Sequence, residues 1–236
     1  MAPASRRGGG RAGAPRGRAA RIGSPAVLGV TTGGRTRLLR VDPSAPDPAA
    51  LATAAAALRG GGVVAFPTET FYGLGAAARL AAAVRRVREL KARPAGQPLL
   101  LLVDSVAMAE SVAEVTGEAR RLMARHWPGA LTLVLRARPA VPVEVTAGTG
   151  TVGVRLSPHP VARGLVAALG EPVTAPSANP SGFPPPTSAA AVLDYFGDAL
   201  DVVLDGGATP GGEPSTVLDL TVAPPRVLRQ GAVRVH

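Results

Sequence analysis

From Arg37 onward, apolar runs of strand length alternate with stretches of helix length and then give way to strands in succession, and this order restricts the fold more than any other feature of the chain. RLLRV (37–41) reads as a strand, Asp47–Arg59 as an Ala-rich helix closed by Gly60, Gly61 and Gly62, VVAF (63–66) as a buried strand, and Ala77 to about Leu90 as a helix with basic last turns. PLLLLV (98–103) is a further strand, and Ser105–His126 holds one or two helices. ALTLVLRA, TVGVRL, PVTA, DVVLD, STVLDL and RVLR follow as strands, with helices near His159–Leu169 and Thr187–Phe196. Strands separated by helices want a sheet with helical cover, whereas strands in succession pair antiparallel. The pattern predicts an α/β fold: an open, twisted, mixed β-sheet with helices on its faces.

The net charge of +10 sits at one end. Residues 1–40 carry nine of the 26 cationic side chains and no acid, leaving seventeen cations against sixteen anions in the rest. Residues 1–36, rich in Gly, Ala, Pro and Arg and without apolar periodicity, are expected to form a disordered basic arm, because they bury too little to offset the entropy of ordering. An RNA-touching arm, a targeting peptide and a solvated leader all fit that composition. Residues 37–236, with 46% apolar content over the chain, suffice for one domain of about 200 residues. The absence of cysteine excludes disulfides, thiolate nucleophiles and Cys-built zinc sites. Apolar runs such as PLLLLV are too short to span a bilayer, so a cytoplasmic protein without membrane contact is expected. No P-loop or dinucleotide fingerprint occurs, and His126 and His159 lack a second ligand at metal spacing.

A coding bias toward Arg, Gly and Ala has left one lysine, Lys91, beside twenty-five arginines, and one asparagine, Asn179. Lysine offers a compact point charge and asparagine a neutral donor and acceptor, neither of which Arg supplies. Lys91 and Arg93 fall in LKARP at the close of a helix; Pro94 favours extended backbone at Arg93, which would turn both cations to one side. They could equally be complementing the helix C-terminus. Ser177 and Asn179 fall in APSANPSG after a strand and share a face if the segment stays extended, although an Asx-turn would read alike. PTETFYGLG places Thr68 and Tyr72 at a strand end, with glycines that let the backbone approach a ligand or form a tight turn. Ser215 and Thr216 open a strand after a Gly-rich loop, and Arg229 lies near the chain end.

In order, PTETFYGLG, KARP with QPL, WPGALT, TVGVR, APSANPSG, STV and LRQG resemble the YrdC-like family of threonylcarbamoyl-AMP synthases, from about Ala50 to Gly231. The resemblance implies the YrdC-like fold in its short, single-domain form. It also implies a nucleotidyltransferase joining L-threonine, bicarbonate and ATP into threonylcarbamoyl-AMP and pyrophosphate, for threonylcarbamoyladenosine modification of tRNA. Lys91 and Arg93 would be catalytic. Thr68, Tyr72, Leu100, Arg155, Ala175 and Ser215 would bind threonine, and Lys91, Arg93, Ala95, Thr151, Ser177, Asn179, Pro185 and Arg229 would bind ATP. Mg2+ is expected with the ATP, its ligands unassigned, and the adenylate would pass to downstream threonylcarbamoyl-transferase proteins. PLLLLV departs from relatives that carry a polar residue after PL, so contact at Leu100 would be main-chain. Two rivals share the fold: an RNA-binding or ribosome-maturation module touching tRNA or double-stranded RNA, and a carbamoyl-transfer domain of hydrogenase maturation.

Overall fold

The computed structural model describes Met1 and residues 36–235. The basic arm assigned to residues 1–36 lies outside the described residues apart from Met1 and Thr36. Thr36 belongs to the fold, its hydroxyl lying within hydrogen-bond reach of the Gly197 (2.9 Å) and Leu200 (2.8 Å) carbonyls.

Among the described residues the order is β1 (Arg37–Arg40), α1 (Pro48–Arg59), β2 (Val64–Phe66), β3 (Gly73–Gly75), α2 (Ala81–Leu90), β4 (Leu100–Leu102), α3 (Val106–Val112), α4 (Gly117–His126), β5 (Leu131–Arg136), α5 (Val143–Thr146), β6 (Thr151–Arg155), α6 (Pro160–Leu169), β7 (Val173–Thr174), α7 (Ala189–Phe196), β8 (Val202–Asp205), β9 (Thr216–Asp219) and β10 (Arg226–Arg229). The helices start where the sequence supplies caps. Asp47 accepts from Ala49 N–H ahead of Pro48, and Ser105, Thr116 and Ser188 accept from the N–H three residues on.

The strands form two mixed sheets, β1-β8-β2-β3 and β10-β9-β5-β6-β4-β7. They meet along an antiparallel seam in which Gly73 opposes Ser177 and Ala77 opposes Val173. Leu74 N–H donates to the Pro176 carbonyl (2.8 Å), Thr174 N–H to Ala76 (2.9 Å) and Ala78 N–H to Pro172 (3.0 Å). Prolines 172 and 176 have no N–H to return, and Ala76 N–H goes to the Thr174 hydroxyl (2.8 Å) instead of a carbonyl. The open mixed sheet expected from the sequence is therefore present but interrupted where proline denies it half its bonds. Gly75 lies in this seam, and a Cβ there would come within 2.8 Å of both the Phe66 ring and Val173.

Alternation along the strands separates two cores. Val63, Ala65, Leu101 and Val203 face one apolar cluster with α2, α4 and α7, whereas Val64, Phe66, Leu102, Val202 and Leu204 face another with α1 and α6. Strands buried on both faces explain why VVAF and PLLLLV read as unbroken apolar runs.

Three details differ from the sequence reading. GLG is a strand rather than loop, paired antiparallel with β2. Helix α2 begins at Ala81, not Ala77, because Ala76–Ala78 are engaged in the seam. The short helix α5 has no signature in the sequence, its four residues being too few to show periodicity.

Candidate active site

On the α1/α6 face, beyond the reach of those helices, the second sheet is open, and there the protein has a cavity of about 800 Å3. Strand register builds its floor. β4 pairs with β6, β6 with β5, and β5 with β9 so that Leu100, Gly153, Val134 and Asp219 stand in one row. All four line the cavity, as do Thr132, Arg155 and Val217 from the same face. Leu131, Leu133, Val152 and Val154 point the other way, into the core. Gly153 keeps the floor deep: a Cβ there would meet Thr132 Cγ2 at 3.3 Å.

Of the expected threonine-binding residues, all six line the cavity. Thr68 is buried, its hydroxyl donating to the Phe71 carbonyl (2.7 Å). Tyr72 is fully buried and its hydroxyl donates to Gly207 (2.7 Å), so only the remainder of the residue is available to a ligand; burial, then Asp205, push it up to about 12. Ala175 N–H donates to the Leu100 carbonyl (2.8 Å), holding these two walls together. Ser215 lies 3.0 Å from the Thr132 hydroxyl, and Arg229 donates to both its carbonyl and its hydroxyl. Arg155 is 4% exposed and faces Glu69 across 3.1 Å.

The expected ATP-binding residues divide. Arg93, Thr151, Ser177, Pro185 and Arg229 line the cavity; Lys91, Ala95 and Asn179 do not. Lys91 and Arg93 do not point the same way, contrary to the extended geometry expected at LKARP. Helix α2 ends with Ala92 N–H on the Glu89 carbonyl and Arg93 N–H on Arg88, and Ala92 is left-handed at φ 46°. The chain thus reverses between the two cations. Arg93 bends over the Gln97 (3.2 Å) and Pro98 (2.8 Å) carbonyls at the cavity edge. Lys91 is 3% exposed and reaches behind the wall, donating at 2.6 Å to both the Ser177 and Asn179 carbonyls. Burial and Arg93 pull its ammonium from 10.5 to about 8.

Ser177 and Asn179 also part company, because Asn179 N–H folds back on the Ser177 carbonyl (2.9 Å). The Asn179 amide turns inward and donates to the Pro180 (2.9 Å) and Phe183 (2.7 Å) carbonyls, with Oδ1 unpartnered. Ala95 is exposed on the turn after α2.

Three arginines therefore converge on one cavity. Arg93 and Arg229 are pulled below their ordinary values first by burial and then by cations, Arg88 and Arg229 for the former and Arg155 for the latter. Arg155 is lowered by burial, opposed by Glu69. Arginine stays charged under such pressure, so the cavity is built for an anion. Asp219 is the carboxylate among the lining residues, with Oδ1 accepting from the Thr221 N–H and hydroxyl.

The family model for Sua5/YciO/YrdC proteins, described as telomere recombination, matches residues 56–231, which span every lining residue from Thr68 to Arg229. The chain belongs to the Sua5/YciO/YrdC family. A threonylcarbamoyl-AMP synthase of Pyrococcus abyssi is 47% identical over 181 residues, covering 76% of this chain and 53% of that protein. One from Thiobacillus denitrificans is 42% identical over 173 residues, covering 73% of this chain and 90% of that one. Crystalline P. abyssi Sua5 in complex with L-threonine superposes with a TM-score of 0.80 at 44% identity, over 83% of this chain and 58% of the other. The chain thus spans little more than half the length of its P. abyssi relative.

Within this Sua5/YciO/YrdC domain, sequence reasoning missed Thr132, Gly153, Asp219 and Glu69. Thr132 and Asp219 lie in strands that the apolar runs predict, and only pairing register brings them to the floor. Gly153, inside TVGVR, carried the one legible hint, since a glycine within a strand marks close approach.

Proposed function

We propose that this chain makes L-threonylcarbamoyl-AMP and pyrophosphate from L-threonine, bicarbonate and ATP, supplying threonylcarbamoyladenosine modification of tRNA in the cytoplasm. The observation that carries the reading is the convergence of Arg93, Arg155 and Arg229 on a single cavity floored by Leu100, Gly153, Val134 and Asp219 and edged with hydroxyls. The substrates are a carboxylate, a carbonate and a triphosphate, and all three want fixed cations in a site shielded from water.

The threonine amine would add to CO2 derived from bicarbonate, giving a carbamate. A carbamate oxygen then bonds to the α-phosphorus of ATP as the bond from that phosphorus to the bridging oxygen breaks, and pyrophosphate leaves. No protein nucleophile is required, so positioning and charge stabilisation do the catalysis. Arg155 would take the threonine carboxylate, with Thr68, Tyr72, Ser215 and the main chain at Leu100 and Ala175 framing the rest. Arg93, Ser177, Thr151, Arg229, Pro185 and the main chain near Ala95 would meet the nucleotide. Lys91 and Asn179 fix the 177–183 segment that carries Ser177, so their part is positioning. Among the described residues no group of three or more His, Asp or Glu gathers as a metal cage. Mg2+ retains waters and binds through substrate phosphates with one or two carboxylates, a demand Asp219 and the triphosphate together fit.

The test is to supply purified protein with threonine, bicarbonate and ATP but no RNA. Pyrophosphate and an AMP adduct of threonine should appear only when all three are present. ATP turnover at the same rate without threonine would refute the reading. Transfer to tRNA would fall to downstream threonylcarbamoyl-transferase proteins.

A further inference from the structure

Glu69 lies in the loop between β2 and β3, next to Thr68, yet it does not line the cavity. Its side chain is 16% exposed and faces the protein. One oxygen, Oε1, is 3.1 Å from Nη1 of Arg155, while the other, Oε2, accepts the hydroxyl of Ser157, which also accepts the N–H of His159 (3.1 Å). Arg155 and Ser157 are two residues apart where the chain leaves β6, so side chains on the same side of an extended segment take the two oxygens of one carboxylate.

The pairing is incomplete in an informative way. Nη1 and Oε1 are within ion-pair distance but not aligned as a hydrogen bond, for Oε1 of Glu69 and Nε of Arg155 are both buried without a partner. Among the described residues Arg155 lies near an acid but makes no side-chain hydrogen bond, although its guanidinium carries five donors and is 4% exposed. A buried cation with its donors unused is costly unless a ligand completes it. Glu69 offsets part of that cost by charge alone, from the side away from the cavity, and leaves the donor edge uncommitted. Arg229 adds a second positive charge, close enough to Arg155 that the two repel. Arg155, Arg229 and Glu69 then sum to one net positive charge, which a single ligand carboxylate neutralises.

We infer that Glu69, anchored by Ser157, is the positioning residue that holds Arg155 for the carboxylate of the amino-acid substrate. The inference rests on the proposed role of Arg155 toward threonine. It assigns Glu69 an effect on carboxylate-bearing ligands that it would not have on their neutral analogues.

The experiment is calorimetric titration of the full chain with L-threonine and with L-threoninamide, which lacks the carboxylate, for wild type and Glu69→Gln. Glu69→Gln should weaken threonine about tenfold, the order of loss expected when a buried cation is no longer held in place by the charge behind it, and leave threoninamide within about twofold. In steady state the threonine KM should rise while the ATP KM stays put. Should Glu69→Gln fail to fold, Ser157→Ala loosens the same carboxylate with less disturbance and should shift threonine binding in the same direction by a smaller factor. Threonine affinity that is unchanged or tighter in the folded variant, or an equal loss for both ligands, would overturn the assignment. A wild-type protein that binds threonine but makes no adenylate would count against the proposed reaction alone, because the binding comparison stands without turnover.

Discussion

Lys91 is the single lysine of the chain, and this makes its titration visible in the stability of the whole protein. The residue is 3% exposed, and its ammonium donates to two carbonyls at 2.6 Å and is lowered from 10.5 to about 8 by burial and by Arg93. The unfolded chain keeps the lysine proton up to about pH 10.5 and the folded chain only to about 8. Between those values the unfolded state binds more protons, so stability climbs with pH. Integrating the two titrations from about pH 7 to about pH 10 gives a gain of about 2–3 kcal/mol. For a domain of this size that is a rise in unfolding temperature of about 5–10 °C. Above about pH 10 Tyr72 acts with the opposite sign: its folded value is raised to about 12, so the unfolded state loses the proton first and stability falls. The assay is thermal unfolding by circular dichroism at half-unit steps across that range, for wild type and Lys91→Met. The wild-type curve should rise by the stated amount relative to the variant. A flat difference between the two, or one that falls, would show that the buried ammonium is not destabilised as its surroundings imply.

Other consequences can be read in kinetics and binding. Lys91→Ala should cut pyrophosphate release about 100-fold, the cost of letting a substrate-facing wall shift by about an ångström, and Lys91→Arg should recover little of it; full activity in the Arg variant would contradict the clamp. Gly153→Val should raise the KM for both substrates at least about tenfold by filling the floor, with an overpacking cost of about 1–3 kcal/mol measured by urea unfolding. Deleting residues 2–35 removes seven arginines and takes the net charge from +10 to +3. Adenylate synthesis should survive that deletion, while heparin or tRNA affinity and its salt dependence should both fall; an undiminished salt slope would put the RNA contact on the fold.

Much of the architecture was legible because it rests on periodicity. Helix α1 runs as its cap and glycines dictate, with Leu51, Ala54, Ala55 and Leu58 buried at helical spacing. What sequence could not reach was local reversal. Pro94 spoke only for the backbone of Arg93, and a left-handed alanine one residue earlier sent Lys91 and Arg93 apart. The same holds for Ser177 and Asn179, separated by one hydrogen bond between residues two apart. Cross-strand neighbours were equally hidden, since Arg155, Thr132 and Val217 share the floor only through two strand registers, one of which joins segments far apart in the chain.

The survival of one lysine in an arginine-rich chain has a geometric reason in this structure. The pocket behind Ser177 offers two carbonyl oxygens, both 2.6 Å from one nitrogen, and an exposure of 3%. An ammonium meets two such acceptors with a compact tetrahedral head. A guanidinium would bring five donors into the same space on a wider plane, with most of them unpaired and out of water. Elsewhere, as at Arg59, Arg88 or Arg138, cations sit where carbonyls and solvent are both at hand, and Arg serves as well as Lys. The one lysine of the chain thus coincides with a place that an ammonium fits and a guanidinium does not. On the proposed reading Lys91 holds the Ser177–Asn179 turn from behind, adding to the main-chain bonds of Leu74 N–H on the Pro176 carbonyl and Ala178 N–H on the Tyr72 carbonyl where prolines 176 and 180 have no N–H to donate.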